Sequence, residues 1–444
     1  MVSWRKIMVL LFGLPHAFQA AAGDDVAMYR LDNGMDVVVV EDHRAPVAIH
    51  MVWYRVGSAD EPPGKSGIAH FLEHLMFKGT DELEPGEFSL KVAKTGGTDN
   101  AFTSYDYTTY IQRVATEHLE SMMRMESDRM VNLVIDKDLV DIERNVVLEE
   151  RNQRVENNPS ALYHEQHMAA QYLNHPYGIP IIGWRREILR IDIDDLRKFY
   201  DTHYAPNNAT LVVVGDVDPE EIYGLARKYY GEIPARQVPE RGRPLEPGHL
   251  AARKLEFGDA RIAQPYLTRS YLVPERDSGD QKTAAALTLL AEVLGGGTTS
   301  ILNQKLQFDT RTALYAGSYY RGLSLDETTF FITVVPTRET TLEEAEASMD
   351  EVLSDFLQNG IDDNHLERVK RQIRASEIYA RDSIRGIANR YGRALSSGLT
   401  VSDVQAWPDI LQSITEKEIM AAAKTVFAGK NSVTGYIMAS EGAK

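Results

Sequence analysis

The sequence predicts an α+β fold: two homologous domains, each an antiparallel β-sheet packed with helices, joined by a proline-rich linker. Three observations carry that prediction. The segments "IDIDDLRKFYDTHYAPNNATLVVVGDV" from Ile191 and "ITEKEIMAAAKTVFAGKNSVTGYIM" from Ile414 share one plan of helix, turn and β-rich strand. In a constant register Ile191 meets Ile414, Asp195 meets Glu418, Leu196 meets Ile419, Tyr204 meets Phe427 and Asn208 meets Asn431. A second echo joins "AHFLEHLMFKGT" to "LTLLAEVLGGGTTS", aligned on Gly79-Thr80 and Gly297-Thr298. Between the copies, "PARQVPERGRPLEPGHL" gathers Pro234, Pro239, Pro244 and Pro247 with few apolar residues, which is linker composition.

Taken in chain order, "MVSWRKIMVLLFGLPHAFQAAAGDD" has the three parts of a secretory signal. Arg5 and Lys6 form a positive start, Ile7 to Leu14 a short apolar run, and Ala20-Ala21-Ala22 a small-residue cleavage site. Cleavage is expected after Ala22, leaving no segment long enough to span a bilayer, which needs about 20 apolar residues. The expected divisions are a signal peptide over residues 1–22, a first domain over 23–233, a linker over 234–254 and a second domain over 255–444. "MDVVVVED" and "VAIHMVWYRVG" read as strands of the first domain and "TTFFITVVP" as one of the second. "SALYHEQHMAAQYL" and "LEEAEASMDEVLSDFLQNG" read as helices. His164 and His167 have metal-compatible spacing but read as structural residues of their helix. "GGGTTS" at 295 to 300 lacks the lysine of a phosphate loop.

Composition narrows the function. A formal charge of −17 excludes a nucleic-acid surface, which needs clustered Lys and Arg. Zero cysteines exclude disulfides, thiolate metal ligands and a cysteine nucleophile. A signal sequence without cysteine fits a bacterial periplasmic or secreted protein. The informative stretch is "GIAHFLEHLMFKGT", residues 67 to 80. His70 and His74 stand four apart, on one face of a helix, with Glu73 beside them and Ile68, Phe71, Leu72, Leu75 and Met76 around the rest. Two imidazoles so placed can grip one metal. They can equally be core histidines bonded to backbone, and a third ligand decides between the two. In the second copy His70 falls on Thr288, Glu73 on Ala291 and His74 on Glu292, so the helix is kept and the trio is not. Downstream, "DKDLVDIERNVVLEERNQRVE" is helical by pattern, and Glu143 and Glu150 share a face two turns apart. Taken alone, that face could be merely solvated.

At these residues the chain resembles the pitrilysin-type zinc peptidases, the inverted zincins that carry H-x-x-E-H. In that family a glutamate follows about 76 residues after the second histidine, which here is Glu150 in "VVLEER". The resemblance extends through "GGTDNAFTSYDYTTY", "HPYGIPIIGW" and "YAPNNATLVVVGDVDPEE" to the GGGTTS of the second half, essentially the whole mature chain. It implies one zinc ion per chain, with His70, His74 and Glu150 as ligands and a water in the fourth place. It implies Glu73 as general base and then acid, and Glu143 as an additional active-site acid that orients a ligand. Asn100, Ala101 and Phe102 would lie on an edge strand that pairs with an extended peptide, with Phe102 also readable as core.

One departure bears on assembly. Single-chain members place an arginine seven residues before a tyrosine in the second half, and both contact substrate. Here Tyr315 is kept, but Phe308 stands at the arginine's position and Arg311 is only four residues before the tyrosine. Either Arg311 substitutes, or a second subunit supplies the pair. With two domains per chain against four in the family's closed chamber, a homodimer or a heterodimer with a related chain is expected. The activity the resemblance implies is zinc-dependent endopeptidase action on short or unfolded peptides. The alternative is a non-catalytic structural, assembly or peptide-binding subunit of the same family.

Overall fold

The computed structural model describes residues 26–428 and 430–440, and the signal sequence expected over 1–22 lies outside them. The first sheet is built from β1 (Val26–Arg30), β2 (Asp36–Glu41), β3 (Val47–Tyr54), β4 (Thr98–Thr103), β5 (Thr108–Ala115) and β6 (Ala209–Gly215). Their spatial order is β1-β2-β6-β3-β5-β4. The second sheet uses β7 (Arg253–Gly258), β8 (Tyr266–Val273), β9 (Ala313–Tyr320), β10 (Thr328–Pro336) and β11 (Ser432–Met438), in the order β7-β11-β8-β10-β9. With β1 set aside, the two orders are the same strand for strand. The register that sets Ile191 on Ile414 also carries Ala209–Gly215 onto Ser432–Met438 and the helix Ile193–His203 onto Glu416–Val426. Both helices open with a reciprocal cap, Asp192 with Asp195 and Thr415 with Glu418.

The sheets differ from the expected antiparallel pattern at one pairing each. β2 runs parallel to β6, and β7 to β11. In each half the last strand returns after a long helical excursion and settles in the same direction beside an early strand, β2 in the first half and β7 in the second, a connection only a long crossover permits. Both faces of the first sheet are covered, which explains the unbroken valines of "DVVVVE". Val37 and Val39 face a core with Phe71, Leu72 and Leu75 of the His70 helix, whereas Val38 and Val40 face a separate cluster with Met51, Trp53, Ile387, Ala388 and Tyr391.

That second cluster joins the two halves of the chain. Helix Ile384–Ser396, from the second half, lies across β3 and β6 of the first sheet. Reciprocally, helix Pro159–Gln171 of the first half lies across β11 of the second sheet. There His167 Nε2 lies 2.6 Å from Ser270 Oγ, and its Nδ1 2.7 Å from Tyr163 Oη. His167 is therefore spent on packing between the halves. Residues 232–250 have little regular structure, and β7 begins at Arg253, inside the span assigned to the linker. Arg243 of this linker donates to Asp60 (2.8 Å), Asp106 (2.6 Å) and Asp326 (2.8 Å), tying it to both halves. Among the described residues, no helix is long and apolar enough to cross a membrane.

Candidate metal centre

The helix Ile68–Leu75 has no side-chain cap of its own and starts from Gly67 at φ 90°. Two acids from elsewhere steady its first turn. Glu61 accepts from the N–H of Gly67 and of Ala69 at 2.9 Å each, and Glu187 accepts from Ser66 N at 2.8 Å. Gly67 is fixed by sterics as well, since a Cβ there would sit 2.5 Å from the carbonyl oxygen of Ile182. The "GIPIIGW" loop thus presses directly on the start of the histidine helix. Glu150 comes from the helix Lys137–Arg151, which Asp136 caps by accepting from the N–H of Asp138 and Leu139. A single π-helical turn, Asn152–Glu156, continues it.

These two helices bring His70, His74 and Glu150 together, with one ligand atom from each lying within 4.8 Å of the others. Glu150 Oε2 is 3.0 Å from His74 Nε2 and 3.5 Å from His70 Nε2. On its far side His74 Nδ1 lies 2.8 Å from Glu143 Oε1, whose other oxygen is 2.7 Å from Lys78 Nζ. Arg154 Nη1 holds the second oxygen of Glu150 at 2.8 Å. Burial pushes His70 down to about 4, aided by its neighbour His74, so it stands as a neutral imidazole. His74 goes the other way. Burial lowers it, but Glu143 and Glu150 outweigh that and raise it to about 9. Burial leaves Glu150 less affected than its bond to His74, which holds its carboxyl low. Two imidazole nitrogens and one carboxylate oxygen converging from two fixed helices are the donor set of a catalytic zinc site with one place open. Glu143 behind His74 is the kind of carboxylate that orients a ligating histidine.

Glu73 is not one of the converging ligands but lies on the same helix, against β4. It is 9% exposed and accepts a hydrogen bond from Thr103 Oγ1 at the end of β4. Burial raises it to about 7, against the opposing bond from Thr103. β4 is the terminal strand of its sheet, so one of its edges has no partner among the described residues. Asn100 is exposed on it and accepts from Ala101 N at 2.9 Å. Ala101 packs on the core below, and Phe102 stands edge-on to Trp53 at 5.7 Å and Tyr107 at 6.0 Å. Tyr315 is not brought to the metal ligands. It sits 52% exposed on β9, the terminal strand of the second sheet, and no described contact joins it to the cluster. Phe308 is likewise exposed, and Arg311 is held at φ 57°.

Five residues of this site escaped the sequence reading: Thr103, Lys78, Arg154, Glu61 and Glu187. Lys78 and Arg154 each stand one turn beyond a named residue, so i,i+4 spacing was the signal available. Glu61 and Glu187 act through backbone N–H groups of a distant loop, and no local pattern announces that.

Residues 36–184 match the model described as Insulinase (Peptidase family M16), and residues 190–373 match the one described as Peptidase M16 inactive domain. The zinc protease PqqE of Helicobacter pylori is 29% identical over 415 residues, covering 92% of this chain and 91% of that protein. The uncharacterized zinc protease YmxG of Bacillus subtilis is 27% identical over 383 residues, covering 83% of this chain and 87% of that protein. Among solved structures, a protease from Helicobacter pylori superimposes with TM-score 0.86 at 28% identity, covering 93% of this chain and 99% of that one. The periplasmic protease PqqL of Escherichia coli shares the fold at TM-score 0.80 and 20% identity, with 94% of this chain matching only 48% of that one. The sequence resemblance, the duplicated α+β halves and both family matches agree: the chain belongs to peptidase family M16, the insulinase family.

Proposed function

We propose that this chain is a zinc-dependent endopeptidase that cleaves short or unfolded peptides held as an added strand along β4. The observation that carries this reading is the convergence of His70, His74 and Glu150, with Glu73 on the same helix, near enough to feel His74 and Glu150 and bonded to Thr103 of β4. Zinc held by the trio would supply a Lewis acid that brings hydroxide within reach near neutral pH. The protein's own groups do the rest. Glu73, poised near neutrality by burial, takes the proton of the attacking water at its carboxylate and returns it to the nitrogen of the leaving amine. Asn100 and the open edge of β4 align the peptide backbone, which makes recognition of side chains loose. Glu143 and Lys78 keep the His74 ring in place.

Zinc content and cleavage of a quenched fluorescent peptide library, with and without chelator, test the proposal. Glu73→Gln should keep its zinc and lose turnover by about 10²- to 10⁴-fold, the usual worth of a general base. His70→Ala should lose both. An active Glu73→Gln enzyme would remove Glu73 from this role.

Assembly is part of the proposal. The cluster receives no residue from the second half among the described contacts, and the chain accounts for about half of PqqL. A second copy or a related chain, supplying an arginine and tyrosine across an enclosed chamber, would complete the site. Light scattering on the active species should give the mass of two chains. The signal-like start supports export to the periplasm or beyond.

A further inference from the structure

Beyond the end of β4 the two halves of the chain border a partly open cavity of about 520 Å³. Phe102, Thr103 and Tyr107 form its wall on the first half, and Tyr319, Arg321 and Trp407 are among those on the second. Thr103, which bonds to Glu73, is thus shared between this wall and the proposed proton-transfer group. Three guanidinium groups line it: Arg276, Arg321 and Arg393. No Asp or Glu does.

The arginines are held by neutral partners. Arg276 lies over the Trp407 ring at 3.7 Å and donates to Gln281 Oε1 at 2.6 Å and to the Asp403 carbonyl at 2.9 Å. The Arg321 guanidinium sits 5.2 Å from the Tyr105 ring, and that of Arg393 5.8 Å from the Phe102 ring. Neither has a carboxylate partner among the described residues. In a chain with 65 acidic residues against 48 basic ones, such partners are plentiful, and Arg243 alone binds three. An arginine fork matches a carboxylate in two-point geometry, and the aromatic rings beside these guanidinium groups help hold them in place.

We infer that this cavity is a subsite for a carboxylate of the bound peptide, received by Arg321 and Arg393, so that acidic peptides are the preferred substrates. The inference rests on the peptidase reading for the word substrate, but the subsite can be tested by binding alone. Fluorescein-labelled peptides of one backbone, carrying Glu, Gln or Lys at successive positions and ending in a free acid or an amide, are titrated against the full chain with Glu73→Gln by fluorescence anisotropy. At one position Glu should bind about tenfold or more tighter than Gln, the range of a hydrogen bond to a charged group. Arg321→Ala with Arg393→Ala should bring the Glu-to-Gln ratio to within about twofold of one. The paired lysine variants, which keep charge and bulk but lose the fork, should retain part of the preference. If the preference follows the free acid rather than any side chain, the peptide's own C-terminus is the carboxylate received. Equal binding of Glu and Gln peptides together with no acid-over-amide preference, or a preference untouched by both arginine substitutions, overturns the inference. Arginine-dependent binding of acidic peptides by a zinc-loaded wild-type chain that cleaves none of them would instead overturn the peptidase reading and leave the subsite standing.

Discussion

His74 is held from two sides, by Glu150 at one ring nitrogen and by Glu143 at the other, and that double hold distinguishes it from His70. Burial pushes the Glu143 carboxyl upward, but His74 and Lys78 more than reverse it, so Glu143 stays ionised as the ring's anchor. Glu143→Gln should weaken zinc retention by about 10- to 100-fold, the usual cost of losing such a support, as read by chelator competition. Unchanged retention would reduce Glu143 to a solvated helix face, the reading its sequence context also allowed. At this scale the sequence was informative because spacing alone puts His70 and His74 on one helix face, and the family's spacing points to Glu150. It was silent on Thr103 and Glu61, whose partners lie in other segments and are chosen by tertiary packing.

Helix Val401–Ser413 shows how an element outside the metal centre is fixed in place. Its start is organised around the Asp403 carboxylate, which accepts from Ser278 Oγ (2.6 Å), Thr400 N (2.8 Å) and Gly279 N (3.1 Å). Burial acts to raise Asp403, but these bonds prevail and hold it down to about 2. A carboxyl depressed in the fold stabilises it fully above the unfolded value of about 3.9, and the contribution is lost as pH falls through the folded value. Asp403→Asn should therefore lower the melting temperature near neutrality. It should also flatten the further decline that the wild type shows between about pH 4 and pH 2. Equal slopes would show that the cap does not couple to folding. The same helix carries Trp407 and its stacked Arg276, so the cap also positions one wall of the arginine cavity. Among elements, the repeated helix and strand were legible to the residue, because "TLVVVG" and "SVTGYIM" follow capped amphipathic helices in one register. The parallel pairings were not legible, since strand neighbours are set by long-range topology that local periodicity does not encode.

Across the whole molecule, each sheet is completed by a helix from the other half, with Gly392 lying so close to Trp53 that a Cβ would sit 2.0 Å from its ring. Neither half is self-sufficient on these grounds. Residues 26–250 expressed alone should lack near-ultraviolet circular dichroism and aggregate, and co-expression with 251–440 should restore a soluble complex. A well-folded first half would show that the strap helix is dispensable. The sequence revealed two copies of one plan but not the exchange between them, because "IRGIANRYGRALS" reads as an ordinary amphipathic helix whichever sheet it covers. The exchange also sets a schedule for biosynthesis. β3 is complete at Tyr54, yet the helix that seals its outer face ends only at Ser396. At roughly 5–20 residues per second, tens of seconds of translation separate the two. Until that helix is in place Met51 and Trp53 have no cover on that face, so the first sheet is sealed only by an element made long after it.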